Sequence, residues 1–154
     1  MAKSFNSISE FNNYMKSIVS LIVNDMLNVS LASGNETATV LSQRIIDTGK
    51  KGDGKRIGTY APSTKKRKKK KGDESSFVNL TDTKYMWEHF EVIENVKSGK
   101  IINTVIGGTD QDTNDRLQWN TDRYKDFLGL TKKEEKILAA AFDAELQIVL
   151  DKYF

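Results

Sequence analysis

The sequence predicts an α+β domain: a long N-terminal helix, a small antiparallel sheet with a β-hairpin, and a long C-terminal helix packed on the sheet. Three observations lead there. Apolar residues recur at spacings of three and four near both ends of the chain. Each of those stretches opens with a capping box. Between them lie two β-branched runs separated by a short glycine turn. At 154 residues the chain is one domain, 1–154, long enough to bury a core without disulfides or metal.

The first helix begins at Ser7-Ile-Ser-Glu10, with Ser7 as N-cap and Glu10 three residues on. Ile8, Phe11, Met15, Ile18, Ile22, Met26 and Val29 then form one apolar stripe, widened by Val19, Leu21 and Val23. The helix is expected to occupy 1–33 and to stop before Gly34. Its polar face lacks the Lys/Arg enrichment of a membrane-surface helix. It therefore reads as a packing helix, with Ile18, Ile22 and Met26 as the expected oligomer interface. Ala38 to Ile46 is a shorter helical candidate.

Residues 47–76 are expected to be a long exposed basic loop. Glycines punctuate them at 49, 52, 54, 58 and 72, and they contain seven consecutive cations, Lys65, Lys66, Arg67, Lys68, Lys69, Lys70 and Lys71. The run holds seven of the 24 Lys+Arg; the other 17 face 21 Asp+Glu, so the chain outside the run is acidic by four charges. Adjacent like charges repel and seek solvent or anions. The run is open to several readings: a solvated segment, a contact to nucleic-acid phosphates, a dock for an acidic protein surface, or a nuclear-import signal by composition. The aromatic interleaving of single-strand stacking platforms is missing from the run itself.

Residues 77–154 hold the rest. Thr81 to Phe90 is expected to form a short helix with Met86 and Trp87 inward. Glu91–Val96 and Lys100–Ile106 form the hairpin, with Gly99 in its turn. Asp110–Asn120 is polar, anchored by Leu117 and Trp119. Phe127 and Leu128 anchor a loop that runs into the capping box Thr131-Lys-Lys-Glu134. The final helix carries Ile137, Leu138, Phe142, Leu146, Val149, Leu150 and Tyr153.

Composition and motifs argue against catalysis. With no cysteine, thiolate chemistry and cysteine-ligated zinc are excluded. Gly49–Lys55 has phosphate-loop spacing, but Arg56 stands where Ser or Thr would hold magnesium. Asp110-Gln-Asp112-Thr-Asn114 opens like a calcium loop. However, Asp115 stands at the required glycine and Thr121 at the required glutamate. His89 is the single histidine and lacks an evident nucleophile beside it. The expectation is no enzyme, no catalytic or metal residues and no cofactor. Met1-Ala-Lys-Ser-Phe5 lacks the pattern of a secretory leader. No run approaches 18 uninterrupted apolar residues, so no membrane partner is expected.

The order of segments resembles the phage virion-morphogenesis, or tail-completion, family. The likeness rests on Ile46 to Gly54, Tyr60-Ala-Pro-Ser-Thr64 before a basic tract, Asn79-Leu-Thr-Asp-Thr83 with Met86-Trp87, and Asp126-Phe-Leu-Gly-Leu-Thr131 before a capped helix. It covers roughly residues 40 to 150. The resemblance implies a structural virion subunit: a ring of six or twelve copies that joins or closes the tail. Portal, neck or tail proteins would be its neighbours, and packaged DNA would be met through its phosphates. It implies a place in the virion, with host cytoplasm as the site of assembly. The alternative is a small nucleic-acid-binding module using Lys65–Lys71.

Overall fold

The computed structural model describes residues 4–81 and 84–153. Its elements run α1 (Ile8–Thr48), α2 (Pro62–Lys71), α3 (Tyr85–Glu88), β1 (Phe90–Ser98), β2 (Ile101–Gly108), α4 (Gln111–Tyr124) and α5 (Lys132–Tyr153). The mixed helix-and-sheet class matches the expectation, as do the long terminal helices and the two-stranded antiparallel hairpin.

Helix α1 begins as expected. The Ser7 hydroxyl accepts from the Glu10 amide at 3.1 Å, and Glu10 reaches back to the Asn6 amide at 2.9 Å. It does not stop before Gly34. One helix of 41 residues, about 60 Å long, replaces the two that were expected. Gly34 breaks no helix because its missing side chain serves packing. A Cβ there would come within 2.6 Å of both Thr104 Cγ2 and Val92 Cγ2. The hairpin thus crosses α1 at the one residue that lets it sit close. The Ser30 and Thr104 hydroxyls meet at 2.5 Å, and the Asn95 amide donates to the Leu27 carbonyl at 2.8 Å. The helix ends at Gly49, left-handed with φ 60°, whose amide returns to the Ile45 carbonyl.

The hairpin pairs Ser98 with Ile101 and Phe90 with Gly108, with an irregularity between Val92 and Glu94. Gly99 takes the positive φ its turn requires. Helix α5 was expected on the sheet. Its principal neighbour is α1, which also carries the hairpin. The two helices run antiparallel, since Arg44 pairs with Glu134 at one end and Asp25 with Lys152 at the other. The capping box of α5 is reciprocal: Glu134 N to Thr131 Oγ1 at 3.2 Å, and Thr131 N to Glu134 Oε2 at 2.7 Å. That same carboxylate oxygen accepts from Arg44 at 2.7 Å, and Arg44 also donates to the Gly129 carbonyl. One buried guanidinium therefore ties the helix start to the spine.

The core gathers Ala38, Leu41 and Ile45 of α1 with Ile57, Val78, Met86, Phe90, Leu117 and Phe127. Phe127 is fully buried, as expected from its position before the final helix. Met86 is inward too, on an α3 of four residues rather than the longer helix expected from Thr81. Trp119, expected as an anchor, is 57% exposed instead. On α4 the buried positions are Thr113, Leu117 and Asn120, and the spacing of three and four turns Trp119 away.

The Gly34 crossing generates a test. Alanine is the better helix former by about 1 kcal/mol, so propensity alone favours Gly34→Ala. The clash is with two β-branched side chains, which cannot swing aside. Gly34→Ala is expected to lower stability by about 1–3 kcal/mol net, read from the urea midpoint.

Candidate functional site

The basic run is a helix, which corrects the expected loop over 47–76. The residues explain it. Pro62 lies in the first turn, where its fixed φ suits a helix start. Lysine and arginine are good helix formers. Gly72 adopts φ 77° and closes the C-terminus: its amide bonds Lys69 O at 3.1 Å, and the Asp73 amide bonds Lys68 O at 3.0 Å. Cations at 68–71 sit at the end of the helix where its dipole is negative. The remainder of 47–76 is shorter and better packed than a loop. Lys50 bridges Arg56, Ile57 is buried, and the Ile57 amide bonds Gly49 O at 2.7 Å. This turn is the segment with phosphate-loop spacing, and its first glycine is simply the cap of α1.

The helix divides the seven cations. Lys66, Arg67, Lys69, Lys70 and Lys71 are exposed and Lys65 is half-buried. Lys68 is 0% exposed, which overturns its place in an exposed run. Its ammonium lies 3.5 Å from Thr81 Oγ1 and 5.2 Å from the centre of the Tyr60 ring. Tyr60 is itself fixed, donating to Asn79 Oδ1 at 2.9 Å and accepting from the Asn79 amide at 3.2 Å. One lysine of the run therefore docks the helix while its neighbours face outward. Replacing the whole run would therefore remove the one residue, Lys68, that seats the helix.

Beside α2 lies a cleft of about 460 Å³ lined by Tyr60, Arg67, Arg116, Trp119, Arg123 and Tyr124, among others, with no carboxylate among the described residues of its lining. Sequence reading missed it, because its cations and rings come from two separated segments, 60–67 and 116–124. Arg123 lies over both Trp119 (5.1 Å) and Tyr124 (5.4 Å), and Arg116 over Tyr85 (5.7 Å). The spacing Arg116, Trp119, Arg123 on one helix was the available signal.

The expected interface residues Ile18, Ile22 and Met26 are half-buried. Met26 lines a groove of about 480 Å³ with Phe142, Leu146 and Ile102, rimmed by Lys97 and Lys100. The groove also touches Val23 and Gly99, so the hairpin turn reaches α1 near residue 23. The end of α5 reaches it near Asp25. Beyond that level, among the described residues, α1 runs past the hairpin and α5, with Ile8 81% and Val19 54% exposed and Phe11, Met15 and Leu21 also exposed. Phe5 folds back on Phe11 (5.3 Å) and Tyr14 (5.0 Å) at its tip.

His89 has more company than its sequence neighbourhood suggests. It stacks on Tyr85 at 4.1 Å and donates from Nδ1 to the Tyr85 carbonyl, and its Nε2 lies 3.9 Å from Asp110. Tyr85 donates to Asp110 at 2.8 Å. The calcium-loop start is accordingly a helix cap, with Asp110 accepting from the Thr113 amide at 2.7 Å. That amide and then the Tyr85 hydroxyl hold the Asp110 carboxyl below the usual carboxylate range, and Asp110 in turn raises Tyr85. Among the described residues no group of three or more His, Cys, Asp or Glu is placed to hold a metal. Asp82 and Thr83, part of the family-like segment, lie outside the described residues, as do Met1 to Lys3.

No protein-family model, no curated protein and no solved structure matches this chain.

Two tests arise from this geometry. Lys68→Ala is expected to cost about 1–3 kcal/mol through lost packing of its stem. Lys69→Ala should stay within about 0.5 kcal/mol. Denaturant midpoints compare the two. The second test is acid sensitivity. Asp25, held down by hydrogen bonds from Lys152 and then Tyr153, and Asp110 both titrate below their unfolded values. Their stabilisation is present above the unfolded pKa and is lost as pH falls through the folded one. The melting temperature should therefore hold down to about pH 4 and drop below it. Asp25→Asn should flatten that drop.

Proposed function

We propose that this chain is a structural, self-assembling virion subunit: a ring-forming neck or tail-completion protein of a tailed phage that works without catalysis. The observation that carries the assembly reading is the free apolar end of α1. A segment over 8–22, about 22 Å long, extends past the hairpin and α5 with Ile8, Phe11, Met15, Val19 and Leu21 in solvent. Apolar surface of that extent marks an interface. The hairpin adds a second patch. Its two strands pair only with each other among the described residues, and Ile93, Ile101 and Val105 are exposed on it. A projecting tip and a separate receiving surface make a head-to-tail contact, the kind that closes into rings. The phage setting comes from the order of family-like segments between residues 40 and 150.

By length and composition α1 is also able to cross a membrane. Its geometry disfavours that use. From Val23 onward the hairpin and α5 wrap the helix, and Asp25 is ion-paired with Lys152. The free part falls short of the roughly 30 Å of a hydrocarbon core. The exposed cations of α2 favour a contact to phosphates or to an acidic rim on a neighbouring ring.

Light scattering after size exclusion is expected to give six or twelve times the 17.4 kDa subunit mass. Val19→Asp, on the free segment, should return a folded subunit with an unchanged melting temperature. A wild-type chain that stays monomeric at high concentration sinks the proposal, as does an undisturbed ring in the variant.

A further inference from the structure

The cleft between α2 and α4 has no counterpart in the assembly reading and stands independently of it. Its chemistry is specific. Three guanidiniums, Arg67, Arg116 and Arg123, line a concave space that also exposes aromatic rings, with no carboxylate among the described residues of its lining. Arg116 is held by Asp112 at 2.8 Å, outside that lining. Arg123 is positioned over the Trp119 and Tyr124 rings. Trp119 is more than half exposed, which is unusual for a tryptophan beside a folded core. Guanidiniums fork onto phosphate oxygens, and an open indole face stacks a planar base. A ligand that satisfies both carries phosphate and an unpaired base on the same unit.

We propose that this cleft binds one nucleotide of a single-stranded nucleic acid, with the base on Trp119 and its phosphates on Arg123 and Arg67. Arg67 belongs to α2, so the strand leaving the cleft meets the exposed cations Lys66, Lys69 and Lys70 on the same helix. The basic run has no stacking residues of its own, and the fold supplies them from Tyr60 and from α4. A duplex offers no unstacked base and would engage only the outer lysines. Inorganic phosphate would engage the guanidiniums without the indole.

The chain has two tryptophans, so Trp87→Phe leaves Trp119 as the sole reporter. A ten-nucleotide single-stranded DNA oligomer is titrated into that variant while tryptophan emission is followed. A labelled copy is titrated into the full chain by anisotropy. The expected result is quenching of Trp119, and affinity about tenfold weaker in Trp119→Ala and in Arg123→Gln. A duplex of the same length should bind more weakly and inorganic phosphate should not quench. Both substituted residues are exposed, and unchanged circular dichroism confirms their folding. Oligomer binding without quenching, or undiminished in both variants, overturns the proposal and assigns the affinity to the α2 lysines alone. Equal affinity for duplex overturns it too, as does competition by inorganic phosphate at matched phosphate concentration, which would mark a simple anion site.

Discussion

The fold depends on the contact between α1 and the hairpin at Gly34. A helix of 41 residues cannot be held straight by propensity alone; it needs tertiary cover on its buried side. The hairpin supplies that cover where a side chain is missing, and polar contacts from Ser30 and Asn95 fix its position along the helix. The antiparallel α5 adds cover between Asp25 and Arg44. Because both elements attach to the same stretch of α1, the remaining turns are left bare. The free apolar end is thus a consequence of where the hairpin crosses.

The second organising contact is Lys68. A buried cation is costly unless its surroundings compensate it. Here an aromatic ring and a hydroxyl meet it, and Tyr60 is locked in place through Asn79. This arrangement seats α2 against the segment that leads into α3. It also fixes Arg67, the residue before it, at the cleft. Burying one lysine of the run thereby determines which way the others face.

The parts of the fold that were legible in the sequence are those set by local rules. Both capping boxes, the Gly99 turn and the buried Phe127 follow from short-range chemistry that tertiary context did not override. The misreadings share a cause. Gly34 reads as a breaker because only the hairpin, 58 to 70 residues further on, makes a bare helix surface useful there. Lys65 to Lys71 reads as a loop because like-charge repulsion is visible in sequence, whereas the burial of Lys68 is not. Trp119 reads as an anchor because hydrophobicity does not reveal which side of α4 faces the core. The cleft was invisible for the same reason: its guanidiniums and rings converge only after α2 and α4 meet.

Helix formation in the basic run changes the spacing of its charges. An extended chain would place seven cations over roughly 20 Å, while a helix gathers them within about 10 Å. That is one charge per roughly 1.5 Å of axis, denser than the roughly 1.7 Å per phosphate along a duplex. The folded α2 therefore holds an electrostatic tension that its caps and Lys68 must restrain. Any polyanion that lies along it relieves that tension. Binding and the firmness of the helix are then linked, each promoting the other, so the segment would stiffen as it fills.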